Sequence, residues 1–253
     1  MAKTNEVPAY CAHEGVYRQI EAKESKTWNE HIGQPAIEKA YVRFLDDLCE
    51  DGVIHEPKRL LELGCGTGQL LRYLCGRFGS LGHGIDVSKT AIKLAKAQTD
   101  VKGITFQTGD VTDLAAKHAG KYDLVVDGLC LHCLTDEEDR DAFIESVHEA
   151  LTKEGIGIIY TMATPILRKE FQEQFGKLYG KRTYFVTADA DKYSDAEVID
   201  GQLQIPTRYF EHYKNIMKSL VDHGLLPMAF RVKLPTESKP LTHLAVAVKK
   251  VEL

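Results

Sequence analysis

The feature that most limits the fold of this chain is a buried-strand pattern that runs into three closely spaced glycines. Residues 60–70 have the sequence LLELGCGTGQL, with glycine at positions 64, 66 and 68. Glycine allows a sharp turn and leaves the main chain bare, so a ligand can approach the backbone without meeting a side chain. Free amides at the start of the following helix face the same space. The sequence therefore predicts a strand, a ligand-binding turn and a helix in succession.

The spacing of the glycines distinguishes this turn from the dinucleotide fingerprint. That fingerprint is Gly-x-Gly-x-x-Gly, whereas here the pattern is Gly-x-Gly-x-Gly, with Glu62 two residues before the first glycine. The pattern resembles the first motif of the class I S-adenosylmethionine-dependent methyltransferases, E/D-x-G-x-G-x-G. The resemblance implies a cofactor with a cationic methionyl end and no pyrophosphate. The cofactor contacts that it implies here are Glu62, Gly64, Cys65, Gly66 and Gly68.

Acidic residues follow this turn at the ends of the next predicted strands. Apolar runs predict strands two, three and four over residues 82–86, 104–109 and 122–127. Asp86, Asp110 and Asp127 end or directly follow these strands. By resemblance to the same family, Asp86 should receive the ribose hydroxyls, Asp110 should receive the adenine amino group, and Asp127 should lie beside the sulfonium. The neighbouring residues expected to complete these contacts are Val87, Val111 and Gly128.

The pattern beyond the turn alternates between helices and strands. Ser88 is the predicted N-cap of one helix, and Thr135 begins a capping box with Glu138 for another. The second helix is expected to carry Leu151 on its apolar face and to stop at Gly155. The remaining expected elements are strand five over 157–161, a helix over 209–223, and strands over 228–234 and 241–249.

This alternation requires a mostly parallel sheet with helices on both faces, so the predicted fold class is doubly wound α/β. The resemblance extends this prediction to seven strands, an antiparallel last strand, an N-terminal helical lid and an insertion after strand five. We expect a single methyltransferase domain over residues 1–253. Its expected parts are the lid over 1–55, the cofactor-binding core over 56–163, a substrate-cap insertion over 164–206, and the C-terminal part of the core sheet over 207–253.

The lead before the core contains scattered aromatic residues and then an amphipathic helix. Tyr41, Phe44 and Leu48 have helical spacing and mark the apolar face of that helix. In the resembling family such leads fold over the cofactor as a lid, and Tyr17 and Trp28 are the residues expected to contact it. The alternative is that both rings only pack the lead onto the sheet.

The segment 164–206 is far longer than the few residues that usually connect a strand to a helix. Its first half is basic and its second half is acidic. The first half also carries apolar residues at helical spacing, namely Phe171, Phe175, Leu178 and Tyr179. One interpretation is a pair of solvated faces, and the other is a cap over the acceptor pocket in which an arginine binds a carboxylate through two hydrogen bonds. The candidate arginines are Arg168, Arg182 and Arg208.

Methyl transfer from a sulfonium requires little covalent chemistry from the protein. The protein must align the acceptor, exclude water and remove a proton where the acceptor carries one. His132 is the predicted base, because it follows Asp127 by five residues and should face the cleft at the carboxyl edge of the sheet. The alternative is a structural histidine between a loop and a helix. The weaker candidates are Tyr160, Tyr209, His13 and His212, and Tyr160 is also expected to line the substrate site.

Cys130 and Cys133 flank His132 in a Cys-x-x-Cys arrangement, which can form a redox pair or contribute to a zinc site. A redox pair places its first cysteine at a helix N-terminus, whereas the predicted helix begins two residues after Cys133. A structural zinc site needs four ligands, and no second pair at metal spacing is present in the sequence. We therefore expect buried or pocket-lining thiols and no metal.

The amino-acid composition indicates where the protein is located and which kinds of partner it can bind. The 253 residues are 43% hydrophobic and 27% charged, with a formal net charge of −5, which is typical of a soluble globular protein. No stretch reaches the ~20 apolar residues that a membrane helix needs, the N-terminus lacks the apolar core of a signal, and six cysteines fit a reducing compartment. We expect a cytoplasmic monomer or homodimer with no membrane partner and, given its negative charge, no nucleic-acid partner.

The absence of several motifs reduces the number of possible acceptor classes. Residues 127–130 are Asp-Gly-Leu-Cys, unlike the N/D-P-P-Y/F sequence of amino-methylating DNA enzymes, and the marks of protein arginine and metal-dependent catechol methyltransferases are missing too. The resemblance then implies methyl transfer from S-adenosylmethionine to a small molecule with an oxygen, nitrogen or sulfur nucleophile. Two alternatives stay open. One is an enzyme of the same fold that releases methylthioadenosine by cyclisation or aminobutyryl transfer, and the other is a non-catalytic cofactor-binding subunit.

Overall fold

The computed structural model describes residues 7–31, 37–114, 116–164, 177–179, 182–187, 193–236 and 241–251. Its strands are β1 Arg59–Leu63, β2 Leu81–Asp86, β3 Ile104–Thr108, β4 Tyr122–Gly128, β5 Leu151–Ala163, β6 Lys177–Tyr179, β7 Thr183–Thr187, β8 Glu197–Ile199, β9 Gln202–Tyr209, β10 Leu225–Lys233 and β11 Thr242–Lys250. Its helices are α1 His13–Ala22, α2 Trp28–His31, α3 Lys39–Glu50, α4 Gln69–Phe78, α5 Lys89–Ala97, α6 Glu137–Ala150 and α7 Tyr213–Asp222.

Seven strands form the main sheet, in the order β10-β11-β5-β4-β1-β2-β3. Strands β1 to β5 pair in parallel, whereas β11 runs antiparallel to both of its neighbours, β5 and β10. The prediction of a mostly parallel seven-stranded sheet with an antiparallel last strand is confirmed. Because parallel strands end at the same edge, the residues that follow β1, β2 and β4 meet at one side of the sheet.

Helices cover both faces of the main sheet, as predicted. One core contains the apolar faces of α6 and α7, and the other contains those of α3, α4 and α5. Strand β11 shows why, since Leu244 and Val246 point into the first core while Ala245 and Ala247 point into the second. Alternation along a strand that is covered on both sides gives a continuous apolar run. Among the helices in the described ranges, none is long and apolar enough to cross a membrane.

The start of α6 differs from the predicted capping box. The N-cap is Asp136, whose side chain accepts a hydrogen bond from the Glu138 amide at 2.8 Å, and not Thr135. Aspartate and threonine are both good N-caps, so the sequence alone did not separate these adjacent positions.

The junction between α6 and β5 also corrects a prediction. The helix ends at Ala150 and Leu151 already belongs to β5, which extends well beyond the predicted 157–161. Gly155 is therefore inside a strand and does not stop a helix. A Cβ at this position would lie 2.8 Å from the Tyr122 carbonyl oxygen of the neighbouring strand, so close strand packing explains the glycine.

The insertion after β5 forms a second sheet, in the order β6-β7-β9-β8 with antiparallel pairing. Leu178 and Tyr179, predicted at helical spacing, lie in β6, while Phe171 and Phe175 fall outside the described residues. Strand β9 continues through Tyr209, so the second sheet extends beyond the predicted boundary at 206.

The helix predicted over 209–223 therefore begins later than expected. It starts at Tyr213, after His212 as its N-cap, and Tyr209, where the helix was predicted to begin, is the last residue of β9. Arg208, assigned by the sequence to the C-terminal part of the core, is a residue of the second sheet. Strand β9 packs against both the Ala9–Ala12 turn of the lead and the Leu131–Cys133 turn after β4.

The corrected helix start can be tested by stability. Asp136→Ala should lower the free energy of unfolding by about 1 kcal/mol, because the Glu138 amide loses its capping acceptor. Thr135→Ala is the matched control and should change it by less than about 0.5 kcal/mol. Urea denaturation followed by circular dichroism measures both values. A larger loss of stability in the Thr135→Ala variant would identify Thr135 as the N-cap.

Candidate cofactor and acceptor site

The glycine turn between β1 and α4 forms a bare backbone surface at the carboxyl edge of the sheet. Gly64, Gly66 and Gly68 all have positive φ, at 69°, 51° and 75°, a conformation that side chains disfavour. A Cβ at Gly64 would lie 2.5 Å from Sγ of Cys130, and one at Gly66 would lie 2.5 Å from the hydroxyl of Tyr17. The glycines are thus required both by conformation and by close approach, as the motif predicted.

Asp86 at the end of β2 braces this turn. Its Oδ2 accepts a hydrogen bond from the Gly66 amide and its Oδ1 accepts one from the Ser88 amide, each at 2.8 Å. Burial raises the pKa of Asp86 to about 6, although both backbone hydrogen bonds favour the carboxylate. Each carboxylate oxygen carries two lone pairs, so the residue can still accept hydroxyl groups from a ligand. Ser88 caps α5, since its Oγ accepts the Ala91 amide at 3.0 Å.

The other predicted acids of the turn also have partners within the protein. Glu62 is buried and accepts the Leu71 amide of α4 at 3.0 Å, which ties the helix to β1, and burial raises the pKa of Glu62 well above its ordinary value. Asp127 is fully buried and accepts the amide of Cys130 at 2.6 Å, so it shapes the turn after β4. Burial raises the pKa of Asp127 to about 7.

Asp110, the predicted adenine acceptor, is held by the lead. Its Oδ2 accepts the hydroxyl of Tyr10 at 2.7 Å, and its Oδ1 accepts the Thr112 amide at 3.0 Å. The remaining predicted cofactor residues are packed around this edge: Cys65 and Val111 are buried, Val87 lies against the α6 and α7 core, and a Cβ at Gly128 would lie 2.9 Å from Leu70.

Helix α1 of the lead packs against α5 and reaches over the glycine turn. Glu14 accepts hydrogen bonds from the hydroxyls of Ser88 and Thr90, each at 2.6 Å. Burial opposes the charge of Glu14, yet these hydrogen bonds lower its pKa to about 2. Tyr17 meets Trp28 edge to face, with ring centroids 5.4 Å apart. The two rings predicted for a lid thus lie together, and Tyr17 is the one above the turn.

A cavity of about 370 Å³ begins at His132, next to the turn after β4. The cavity lies between α6, α7, the end of β5 and the second sheet. Its lining includes Leu131, His132, Arg140, Thr161, Tyr209 and Ile216. This volume is within the range of sites for small organic ligands.

His132 is buried, with 3% of its surface exposed. Its Nδ1 lies 3.3 Å from the Thr161 hydroxyl, and its ring stacks on Phe210 with centroids 6.0 Å apart. Burial and the charge of Arg208 lower the pKa of His132 well below its ordinary value. The imidazole is therefore neutral at physiological pH.

The four predicted substrate residues are placed differently. Arg168 lies outside the described residues. Arg182 lines the cavity, but its guanidinium is already paired with Glu211 and also bonds the Tyr209 hydroxyl. Arg208 bonds His13 of the lead at 2.7 Å.

Tyr160 is not brought to this cavity. Its hydroxyl donates to Glu38 at 2.9 Å and its ring packs on Tyr41 of α3, whereas the adjacent Thr161 faces His132. Successive strand residues point to opposite faces, which explains the separation. Tyr160 therefore lies on the opposite side of the sheet from the cavity at His132.

The two cysteines beside His132 are free thiols. Burial raises the pKa of both Cys130 and Cys133, the reverse of the low pKa that a redox or metal-binding thiolate has. Cys130 precedes only a short 3-10 turn. Over the described part of the chain, no group of three histidine, cysteine or acidic residues is placed to hold a metal ion.

Sequence reasoning missed several residues that the fold brings to the site. They are Tyr10, Glu14, Arg140, Thr161 and Phe210. Tyr10 and Glu14 bond to Asp110 and Ser88, 100 and 74 residues away in the chain. No local pattern marks such contacts, and a lead predicted to cover the cofactor was the only available signal.

Comparison with known families agrees with this geometry. Residues 60–155, which include the glycine turn, Asp86 and Asp127, match a methyltransferase domain. Over these residues the chain matches the methyltransferase domain, and its fold is that of the S-adenosylmethionine-dependent methyltransferases.

One curated relative of the domain is 2-heptyl-1-hydroxyquinolin-4(1H)-one methyltransferase of Mycobacteroides abscessus. It is 31% identical over 121 residues, covering 47% of this chain and 49% of the relative. The chain matches less than half the length of this and two further curated methyltransferases, 49%, 38% and 39% respectively.

Solved structures support the fold of the methyltransferase domain and its additions. An S-adenosylmethionine-dependent methyltransferase of Methanosarcina mazei aligns with a TM-score of 0.62 and 20% identity, over 81% of this chain and 98% of that chain. The 1,6-didemethyltoxoflavin-N1-methyltransferase of Burkholderia thailandensis, solved with 1,6-didemethyltoxoflavin and S-adenosylhomocysteine bound, aligns with a TM-score of 0.59 and 14% identity, over 100% and 94%.

The requirement for a bare turn can be tested with a single methyl group. Gly66→Ala should weaken binding of S-adenosylhomocysteine at least about tenfold, because its Cβ would collide with Tyr17 and because φ is 51°. Gly76→Ala is the control, since that glycine lies in α4 with nothing within 4 Å of an added Cβ. Calorimetry measures both affinities. Equal affinities would mean that the ligand does not approach Gly66.

The ionisation of Asp86 predicts a pH dependence of cofactor binding. Its pKa of about 6 leaves it charged near pH 8 and mostly protonated near pH 5, when one oxygen becomes a donor. The affinity for S-adenosylhomocysteine should therefore fall roughly tenfold as the pH drops between these values. Asp86→Asn should bind more weakly and show little change over the same range. An unchanged dependence in this variant would assign the titration to another group, such as Asp127.

Proposed function

We propose that this protein transfers a methyl group from S-adenosylmethionine to a small-molecule acceptor with an oxygen, nitrogen or sulfur nucleophile. The observation that carries the proposal is the placement of the 370 Å³ cavity at His132, one turn away from Asp127 and the glycine turn. The proposed methyl donor site and a cavity of ligand size would thus share the turn after β4. The names of the Mycobacteroides and Burkholderia proteins, both methyltransferases of heterocyclic small molecules, support the same class of acceptor.

S-adenosylmethionine supplies an electrophilic methyl group on a sulfonium when it is bound. Asp86 would accept the ribose hydroxyls, and Asp110 would accept the adenine amino group after exchanging its bond from Tyr10. The amides of the glycine turn and the ring of Tyr17 would enclose the methionyl part. Trp28 supports Tyr17 from behind, so the lead excludes water from the site.

The cavity at His132 is proposed to hold the acceptor. Leu131, Ile144 and Ile216 give it apolar walls, and Arg140 lies over the ring of Tyr209 at 3.8 Å, which closes one side with a flat surface. Such a lining suits a planar or partly apolar molecule and leaves little room for a macromolecule. We therefore propose a small-molecule substrate and no nucleic-acid partner.

His132 is proposed as the residue that takes a proton from acceptors that must lose one. Its neutral imidazole can accept a proton, and Thr161 limits the motion of the ring. Arg208 opposes the protonated form, since its charge lowers the pKa of His132. A negative charge on the bound ligand would offset that effect. Acceptors that carry no removable proton would need His132 only as a wall of the cavity.

The setting of the protein is also a proposal. The absence of a spanning helix from the described residues and the free, buried thiols of Cys65 and Cys75 are compatible with the cytoplasm. We propose a monomer or homodimer that acts there on a metabolite.

The product formed from the cofactor tests this function. The protein would be incubated with S-adenosylmethionine carrying a trideuterated methyl group and a pool of cytosolic metabolites. Mass spectrometry should detect adenosylhomocysteine together with a metabolite that carries the label. Gly66→Val is the inactive control, because it blocks the turn.

His132→Ala should lower turnover more than acceptor affinity.

Other products would contradict the proposal. Methylthioadenosine in place of adenosylhomocysteine would assign the protein to the cyclisation or aminobutyryl-transfer reactions of the same fold. Tight cofactor binding with neither product, across the whole metabolite pool, would favour a cofactor-binding subunit.

A further inference from the structure

Arg208 has an unusual set of hydrogen bonds for a half-buried arginine. Its Nη1 donates to Nε2 of His13 at 2.7 Å and to the Thr207 carbonyl oxygen at 2.6 Å. These two bonds use both hydrogens of Nη1. Its Nε is enclosed by protein yet has no hydrogen-bond partner, and the guanidinium forms no ion pair with any carboxylate of the described residues. The edge formed by Nε and Nη2 is therefore unused within that part of the chain.

His13 fixes the direction of this edge. Its Nδ1 lies 2.8 Å from the Tyr10 carbonyl oxygen, which can only accept, so the ring hydrogen is on Nδ1. Nε2 then presents a lone pair to Arg208. Burial and the charge of Arg208 lower the pKa of His13 to about 3, which keeps the ring neutral. Trp28 packs edge to face on the same imidazole, with centroids 5.6 Å apart, and holds its plane.

Arg208 lies next to the proposed acceptor cavity, on the side of the lead. The residue is on β9, which packs against both the lead and the Leu131–Cys133 turn. Its charge acts on His132 and on Cys133, lowering the pKa of the first and opposing the rise caused by burial in the second. The guanidinium thus lies near both His13 and His132, and its neighbour Tyr209, rather than Arg208 itself, lines the cavity.

The two other arginines near the turn after β4 have different partners. Arg182 is neutralised by Glu211. Arg140 donates through Nη1 to the carbonyl oxygens of Leu134 and Thr135, at 3.1 and 2.8 Å, and its plane covers Tyr209. Among these three described arginines, Arg208 is the one with a buried nitrogen that has no hydrogen-bond partner.

The Nε and Nη2 hydrogens of an arginine point in parallel and match the two oxygens of a carboxylate. A buried donor without a partner is costly, so its presence beside a ligand site needs an explanation. We propose that the Nε and Nη2 edge of Arg208, oriented by His13, binds the carboxylate of a ligand in the methyl-transfer site. This inference rests on the proposed function for its choice of ligands, which are the acceptor and the methionyl part of the cofactor.

Calorimetry with two nucleosides tests the cofactor as the source of the carboxylate. S-adenosylhomocysteine carries the carboxylate, and 5′-methylthioadenosine lacks it. If Arg208 binds the carboxylate of the cofactor, Arg208→Gln should weaken the binding of S-adenosylhomocysteine at least about tenfold. The affinity for methylthioadenosine should stay within about twofold of the wild-type value. Arg59→Gln, an exposed arginine at the start of β1 and so at the opposite edge of the sheet, is the control and should leave both affinities unchanged.

A matched pair of fragments tests the acceptor as the source. Benzoate and benzamide differ in charge but hardly in shape, and their affinities would be measured by NMR titration with S-adenosylhomocysteine present. If the acceptor carboxylate is bound here, the wild type should prefer benzoate at least about fivefold, and Arg208→Gln should remove that preference. Arg208→Lys should keep only part of it, because lysine has the charge without the paired donors.

The positioning role of His13 has its own readout. His13→Gln keeps an acceptor near Nε2 and should retain the carboxylate effect found above, whereas His13→Phe removes the acceptor and should lose most of it. Circular dichroism melts would confirm that each variant is folded. Equal effects of the glutamine and phenylalanine variants would contradict the role of His13.

The inference is overturned if Arg208→Gln changes neither the nucleoside nor the fragment affinities, or if Arg59→Gln changes them as much. These readouts involve no turnover, so they are separable from the proposed function. Unchanged carboxylate binding in Arg208→Gln beside normal methyl transfer would reject only this inference. Loss of carboxylate binding beside a methylthioadenosine product would reject only the proposed reaction.

Discussion

The hydrogen bond from the Gly66 amide to Asp86 is the contact on which the site depends. It joins the turn after β1 to the end of β2, and the second oxygen of the same carboxylate holds the Ser88 amide at the start of α5. The turn can follow this path only because its glycines adopt positive φ. The buried carboxylate of Asp86 therefore holds the bare backbone of the turn and the start of α5 in one arrangement, and these two contacts also fix its own orientation. A buried carboxylate with two backbone partners also has little freedom to move, which suits a residue that must meet a ligand in one orientation.

The additions to the fold converge on this edge from two sides. The lead is anchored beside the glycine turn, where Glu14 bonds Ser88 and Thr90, and on the second sheet, where the adjacent His13 bonds Arg208. Neighbouring residues of α1 thus connect the two halves of the site. Displacing this helix would break both sets of hydrogen bonds together, so the geometry couples coverage of the glycine turn to the orientation of Arg208.

Sequence reasoning succeeded where the signal was local. The glycine turn, Asp86 after its strand and Ser88 as an N-cap each follow from short patterns, and the structure confirms them. It failed where two periodicities overlapped: the apolar positions before Leu178 and Tyr179 suit a helix, yet those two residues form a strand. Pairing could not be predicted at all. Arg182 meets Glu211 across 29 residues, and Arg208 meets His13 across 195. The sequence could not rank its three candidate arginines, whereas the fold gives two of them different partners.

The central claim is that the glycine turn and the lead enclose one cofactor site. Hydrogen–deuterium exchange with and without S-adenosylhomocysteine tests it most directly, because amide protection reports local opening along the chain. The account predicts slower exchange both in residues 64–71 and in residues 9–22, with the same dependence on ligand concentration. Protection of the turn without any change in the lead would contradict the enclosed site, and protection of neither segment would contradict the assignment of the site itself.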